Sequence, residues 1–287
     1  MIYLPDELID HLIREDAPSL DLTTWTLGLR DEPGLIHFSS REEIVVCGTE
    51  EVRRIFACLG AEVTEAVASG AQVSPGGVIL VGRGGAAALH LAWKVSLNVL
   101  ENCSGIASRA HRLVANAKAV NPSIEVVTTR KNFPGTKELA IKASVAGGAL
   151  PHRLGLSETI LAFEQHRVFC GGFDGFVARI PDWRKRVCEK KIVVEVASLA
   201  EAQAVARSGV DGVQFDKVQP DELRLWVTAL KQEFPRLTLI AAGGVNENNA
   251  AAYAATGVDA LATSSIYFGK PADIRAEMSR VLRQTGA

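Results

Sequence analysis

Four cations fall in two short stretches joined by one helix-like segment: Arg130 and Lys131 in "TTRKNFPG", and His152 and Arg153 in "GGALPHRLGL". An arginine grips a carboxylate or phosphate through a two-pronged fork, whereas a lysine supplies a point charge. Pro134-Gly135 and Gly147-Gly148 shape tight loops around them, so the pattern suits a bound anion. Two acids face these cations in the sequence logic. Glu195 interrupts the otherwise apolar "KIVVEVA", and Asp216 ends "DGVQFD". Acids so placed are costly unless satisfied, so they would hold Mg²⁺ or sugar hydroxyls, or else pair with Lys131 or Lys217. In "LIAAGGVNENN", Gly243-Gly244 lies between a strand and a helix for which Asn246 is a candidate cap. The free backbone N–H groups of such a turn bind phosphate. "LATSSIYFG" repeats the step and adds the hydroxyls of Thr263, Ser264 and Ser265. Cationic walls, two acids and two phosphate turns together describe a receptor for a phosphorylated sugar bearing pyrophosphate, with a second, acidic partner.

The elements that must position these residues follow from periodicity. Between Leu35 and Gly82, "LIHFS", "EIVVCG", "AEVTEAV" and "GVILVG" read as strands, with "TEEVRRIFACLG" as a helix closed by Gly60. The apolar spacing over 86–120 is helical but too long for one ordinary helix, which predicts a break at Ser104-Gly105. After Asn121-Pro122 the rhythm changes. The runs "IEVVTT", "RVFCGG", "KIVVEVA", "DGVQFD", "LTLIAAGG" and "VDALATS" read as strands separated by amphipathic stretches such as "PDELRLWVTALKQEF". Alternating β and α units imply a parallel sheet, as a barrel or a doubly wound fold, and the roughly twenty-residue repeat favours the barrel. In both folds ligands gather at the carboxyl ends of the strands, where Arg130, Lys131, Glu195, Asp216, Gly243 and Gly244 fall.

Composition narrows the function classes. The 287 residues are 47% hydrophobic with a formal net charge of −2, which offers no basic surface for nucleic acid. Five scattered cysteines without a CxxC pair indicate neither a disulfide framework nor a zinc site, so a reducing cytoplasm is the expected location. The acidic "MIYLPDELIDHLIRED" lacks the features of a secretion signal, and no long apolar run predicts a membrane span.

Seven blocks in order then carry a resemblance: "REDAPSLDLTT" from Arg14, "SLNVLENCSGIAS" from Ser96, "TTRKNFPG" from Thr128, "AGGALPHRLGLSE" from Ala146, "VVEVASLAEA" from Val193, "VQFDKVQP" from Val213 and "AAGGV" from Ala241. The chain resembles the type II phosphoribosyltransferases of the quinolinate (nicotinate-nucleotide pyrophosphorylase) family, and within it the molybdenum-transport-associated ModD proteins. The resemblance implies an α/β fold: an N-terminal α/β sandwich over residues 1–105, joined by a C-terminal helix at 272–287, and a partly open TIM-like barrel over 106–271. It implies a homodimer or higher oligomer whose site borrows a residue from the neighbouring copy. It also implies a Mg²⁺-dependent pentosyl transfer, in which a ring nitrogen attacks phosphoribosyl pyrophosphate (PRPP) and pyrophosphate leaves. Carried over by position, Glu195 and Asp216 should hold ribose hydroxyls and metal, Lys131 the pyrophosphate, and Gly243, Gly244 and Ser264 the 5′-phosphate. Arg130, His152 and Arg153 should face the acid.

Departures from the family pattern bear on the acceptor. The family's "ERTALN" is "WKVSLN" here, so Lys94 stands where an arginine reaches into the neighbouring site. The family's "LIKDNH" is "LAFEQH", so Phe163 replaces a lysine that should face a substrate carboxylate. "GGGVNHR" has become "GGALPHR", and "SGG" has become "AGG" with Ala242, which spares the backbone donors. The leading expectation is an aromatic or heterocyclic acid with fewer or differently placed carboxylates than quinolinate, with Phe163 against its apolar edge. Decarboxylating quinolinate phosphoribosyl transfer and a non-catalytic phosphosugar or nucleotide sensor are the alternatives.

Overall fold

In the computed structural model, which describes residues 2–29 and 32–281, the chain divides into two compact units. The first takes the chain up to His111, Phe133–Gly148, and Phe268 onward; the second takes Arg112–Asn132 and Ala149–Tyr267.

The first unit contains β1 (Pro33–Ser40), β2 (Ile44–Val45), β3 (Glu62–Ala66), β4 (Gln72–Val73) and β5 (Val78–Gly85). Its main sheet is antiparallel, with β1 between β5 and the strand Ile274–Arg280, and β3 on the far side of β5. Strict alternation in β1 buries Ile36 and Phe38 on one face, where they meet Val52, Ile55 and Phe56 of the helix Thr49–Cys58 in one apolar core. Those three helix positions fall at i, i+3 and i+4, the spacing of a buried stripe. The same unit holds an ionic cluster built on the buried pair Lys142 and Glu51, with the half-exposed Glu50 beside it. Lys142 donates to Glu50 at 2.8 Å and to Glu51 at 2.5 Å, and Ser69 donates its backbone N–H to Glu50 at 3.0 Å. This cluster, with Ala143 in the apolar core, explains why the helix Lys137–Ala146 groups with this unit.

The second unit is a parallel sheet of seven strands: β6 (Glu125–Thr128), β7 (Leu150–Pro151), β8 (Ile160–Ala162), β9 (Ile192–Val196), β10 (Gly212–Asp216), β11 (Thr238–Ala242) and β12 (Ala260–Thr263). Their order is β7-β6-β12-β11-β10-β9-β8, so the sheet curls but β7 and β8 remain unpaired edges: a partly open barrel, as expected. Val127, Leu161, Val193, Ile240, Ala242, Ala260 and Ala262 form its apolar interior. Helices return the chain between strands. Ser198 caps Leu199–Arg207 by accepting from the Glu201 N–H at 3.2 Å, and Pro220 opens Pro220–Glu233 at a position where no N–H is needed.

Three sequence expectations are corrected here. No break occurs at Ser104-Gly105, because the helix Ala86–Val120 runs through both residues. Gly105 instead admits a close neighbour: a Cβ there would meet Lys270 O at 3.0 Å and the Ala272 nitrogen at 3.1 Å, while Ala272 N–H donates to Glu101 O at 2.9 Å. "RVFCGG" is not a strand, since Arg167 ends a short helix and Val168–Cys170 forms a 3₁₀ turn. The C-terminal helix expected over 272–287 is instead a strand at Ile274–Arg280, paired with β1 from Gly34↔Arg280 to Ser40↔Ile274; residues 282–287 lie outside the described part. Helix-forming residues adopt extended backbone there because an open sheet edge supplies hydrogen-bond partners.

Candidate functional site

Acids at the two ends of the barrel strands are treated differently. At the amino ends, Asp211 accepts from the Ile192 N–H at 2.6 Å and pairs with Arg184, and Asp259 pairs with Lys231 at 2.7 Å while accepting from the Leu239 N–H. Those carboxylates are structural and satisfied. At the carboxyl ends, among the described residues, the Glu195 side chain on β9 has one hydrogen bond, from Gln214 Nε2 at 2.7 Å, and the nearest cation to Asp216 is the exposed Lys217, 4.0 Å away. Burial raises the Glu195 pKa, the Gln214 bond opposes the rise, and the negative charge of Asp216 adds to it. Two under-partnered acids at one end of a barrel form a place for cations or hydroxyls.

Both acids line one cavity of about 450 Å³, together with Lys131, Phe163, Gln214, Lys217, Gly243, Gly244, Asn246 and Ser264. Its floor includes Ala242 and Ala262 from the apolar interior, against which Phe163 packs. Phe163 is held by three contacts with His166: its N–H donates to Nδ1 at 3.0 Å, its carbonyl accepts from the His166 N–H at 3.0 Å, and the rings stack at 5.9 Å.

The glycine turn after β11 is built for close approach. Gly243 has φ +79°, and a Cβ there would lie 2.2 Å from Asp216 Oδ1 and 2.7 Å from the Lys217 nitrogen. Lys217 is itself left-handed at φ 61°, the one such non-glycine among the described residues, and its N–H donates to Ala242 O at 2.8 Å. Gly244 has φ +83° with open space where its Cβ would be. The N–H groups of Gly243 and Gly244 donate to no partner among the described residues. Asn246 closes the turn as a cap would, its side-chain oxygen accepting from the Asn248 N–H and its carbonyl from the Ala250 N–H, each at 3.0 Å, while the regular helix Ala250–Ala254 begins only after Asn249. In the neighbouring loop, Thr263 Oγ1 bonds to Val245 O at 2.7 Å and to Ser265 Oγ at 2.9 Å, so those two hydroxyls are occupied. Ser264 has no hydroxyl partner among the described residues.

The cavity thus unites Lys131, Phe163, Glu195, Asp216, Gly243, Gly244 and Ser264. Arg130, His152 and Arg153 do not line it; they cluster where β6 and β7 end, with His152 N–H on Thr128 O at 3.0 Å. Burial and the Arg153 charge depress the His152 pKa, which keeps the ring neutral at pH 7, and burial and Arg130 likewise depress that of Arg153. Lys94 belongs to the first unit, where its Nζ lies 4.5 Å over the Trp93 ring. Gln214 is a cavity residue that sequence reasoning missed, and Lys217, read there only as an ion-pair partner for the acids, also lines the cavity. A usable signal for Gln214 was present: a glutamine two residues before Asp216 in an apolar run shares the face of that acid.

The pair of acids suits a divalent cation held jointly with a ligand. Among the described residues no group of three or more His, Cys, Asp or Glu side chains is placed to hold a metal, so a protein cage is not provided. One or two carboxylates beside a phosphate-bearing ligand is the manner in which Mg²⁺ is commonly bound.

The pattern of the quinolinate phosphoribosyl transferase N-terminal domain matches residues 21–104, and that of its C-terminal domain matches 106–275. The chain belongs to the quinolinate phosphoribosyltransferase family. It is thereby a pentosyltransferase by class. The ModD protein of Rhodobacter capsulatus is 44% identical over 251 residues, spanning 88% of this chain and 96% of that protein. The human nicotinate-nucleotide pyrophosphorylase [carboxylating] is 30% identical over 265 residues, spanning 92% and 88%. A nicotinate-nucleotide pyrophosphorylase structure from Ehrlichia chaffeensis superposes with a TM-score of 0.88 at 24% identity, covering 97% of this chain and 100% of that one, which shows the shared fold. No helix among the described residues is long and apolar enough to cross a membrane.

Proposed function

We propose that this protein transfers the phosphoribosyl group of PRPP to the ring nitrogen of an aromatic or heterocyclic acid carrying fewer or differently placed carboxylates than quinolinate. The observation that carries the reading is the cavity itself, which combines two sparsely partnered acids, a lysine, and, among the described residues, a glycine turn with free N–H groups and the free hydroxyl of Ser264. In this reading the turn at Gly243-Gly244 and Ser264 hold the 5-phosphate, and Lys131 draws the pyrophosphate. Glu195 and Asp216 hold the ribose hydroxyls and Mg²⁺. The cation, when bound, neutralises charge on the leaving group. The nitrogen lone pair forms the new bond to the anomeric carbon as the carbon–oxygen bond to pyrophosphate breaks, and pyrophosphate departs with the electron pair. Arg130, Arg153 and the neutral His152 receive the acceptor's carboxylate, and Phe163 abuts its apolar edge. The reading includes a homodimer in which Lys94 of a neighbouring copy completes the site. A role in molybdate metabolism is suggested only by the ModD relatives.

Pyrophosphate release from PRPP, followed across a panel of pyridine and other heterocyclic acids, tests the proposal. One or more acids are expected to give turnover that EDTA abolishes and Mg²⁺ restores. No release with any acid, alongside PRPP binding, would leave the protein a sensor; undiminished turnover in EDTA would remove the metal from the reading.

A second reading, quinolinate as acceptor, draws on the 30% identity to the human pyrophosphorylase. Phe163 decides between them. A buried carboxylate without its cation loses about 3–5 kcal/mol, so quinolinate should be a poor substrate. Phe163→Lys should lower its KM by about tenfold or more. Efficient quinolinate turnover by the unmutated enzyme would favour the second reading.

A further inference from the structure

We propose that Gln214 is a specificity-determining residue of the transfer: its amide N–H fixes the Glu195 carboxylate, and its amide oxygen accepts a hydrogen bond from the 2-hydroxyl of the bound sugar. The pair would thereby select a ribosyl over a 2-deoxyribosyl donor. The inference rests on the phosphoribosyl reading given above. Gln214 is 6% exposed, yet it lines the cavity. Its Nε2 donates to Glu195 Oε2 at 2.7 Å, and because an ionised carboxylate only accepts, the amide must turn its NH₂ that way and its oxygen elsewhere. That oxygen has no hydrogen-bond partner among the described residues, and it is not among their buried unpaired atoms. It is therefore open to solvent, and the cavity is the open space that this buried side chain adjoins.

Strand register assigns the hydroxyl. Gln214 pairs with Glu195 across β10 and β9, and Ala162 pairs with Val194 across β8 and β9, which puts Phe163, Glu195 and Gln214 at one level of the sheet. Asp216 lies one layer further toward the carboxyl end, against Gly243. With the 5-phosphate at the glycine turn and the acceptor against Phe163, Asp216 serves the sugar's 5-phosphate side and its 3-hydroxyl. The Glu195–Gln214 pair serves the anomeric side and the 2-hydroxyl. Once a bound sugar covers it, an amide oxygen left without a donor is penalised, which is how a site rejects a ligand lacking one hydroxyl.

Calorimetric titration of ribose 5-phosphate and 2-deoxyribose 5-phosphate tests this without turnover. The unmutated protein should prefer ribose 5-phosphate by about tenfold. Gln214→Met, similar in volume, should bring the two sugars within about threefold, while Gln214→Glu, which sets a second carboxylate against Glu195, should weaken both. Thermal midpoints monitor folding, and should Gln214→Met fail to fold, the tenfold preference of the unmutated protein together with Gln214→Asn, whose shorter amide should also lose the preference, decides the matter. An unchanged preference in a folded variant overturns the role of Gln214 and leaves the phosphoribosyl reading intact. Failure of the unmutated protein to bind either sugar phosphate would overturn that reading itself.

Discussion

Gly243→Ala is expected to weaken phosphoribosyl binding sharply and to lower stability by about 2–4 kcal/mol, adding the strain of a left-handed alanine to that of an overfilled contact. The physical reason is local. A Cβ at this position would lie 2.2 Å from Asp216 Oδ1 and 2.7 Å from the Lys217 backbone nitrogen, and the latter cannot swing aside as a side chain would. Lys217 N–H is bonded to Ala242 O, so relief at one atom pulls on the end of β11. Displacement of the turn by about 1 Å would misalign the proposed phosphate donors and cost on the order of a hundredfold in activity. Gly244→Ala is the control. Its φ of +83° carries similar backbone strain, but its Cβ would meet nothing within 4 Å. It should fold with a loss of about 1–2 kcal/mol and retain Asp216 in place. Chemical denaturation together with ribose 5-phosphate titration separates the two variants. Equal behaviour of both would show that backbone strain, and not the contact with Asp216, governs the turn.

Lys142→Ala is expected to cost about 3–5 kcal/mol, because it leaves the deeply buried Glu51 without its cation. Glu51 is 2% exposed and Lys142 9% exposed, so water cannot take over the role of the partner. The triple variant Lys142→Met, Glu50→Gln, Glu51→Leu should recover most of the loss, since no buried charge remains. The cluster also predicts an acid limb. Burial pushes the Glu50 pKa upward, but the bonds from Lys142 and Ser69 outweigh it and bring the pKa to about 2 from its usual 4.5. A pKa depressed on folding stabilises the protein above the unfolded value, so this contribution is complete above pH 4.5 and is lost as pH falls toward 2. In Lys142→Ala that part of the acid limb should flatten. Urea denaturation of both forms between pH 2 and pH 6, a range chosen to span about both values, reads the two effects. A loss under about 1 kcal/mol at pH 7 would show that the cluster behaves as a solvated surface pair.

The sequence by itself narrowed the second unit to a parallel barrel or doubly wound sheet, favoured the barrel, and marked several of the residues that line its cavity. Alternating β and α runs leave few other architectures, and polar residues that end apolar strands fall at the ligand end of any parallel sheet; Glu195, Asp216 and Gly243-Gly244 were legible for that reason. What only the tertiary structure decided is where those residues find partners. Glycine at position 105 looked like a break, but a passing segment at Lys270–Ala272 needed the space. The residues Ile274–Arg280 look helical by propensity, yet an open edge beside β1, more than two hundred residues away in sequence, supplied ladder bonds that local preference cannot anticipate. Thr263 and Ser265 looked as available as Ser264, but contacts with Val245 and with each other occupy two of the three hydroxyls. Nothing near Gln214 in sequence pairs it with Glu195; strand register places the two side by side. Composition and periodicity fix which face a residue lies on, whereas hydrogen-bond partners depend on chain segments distant in sequence, and only folding brings those together.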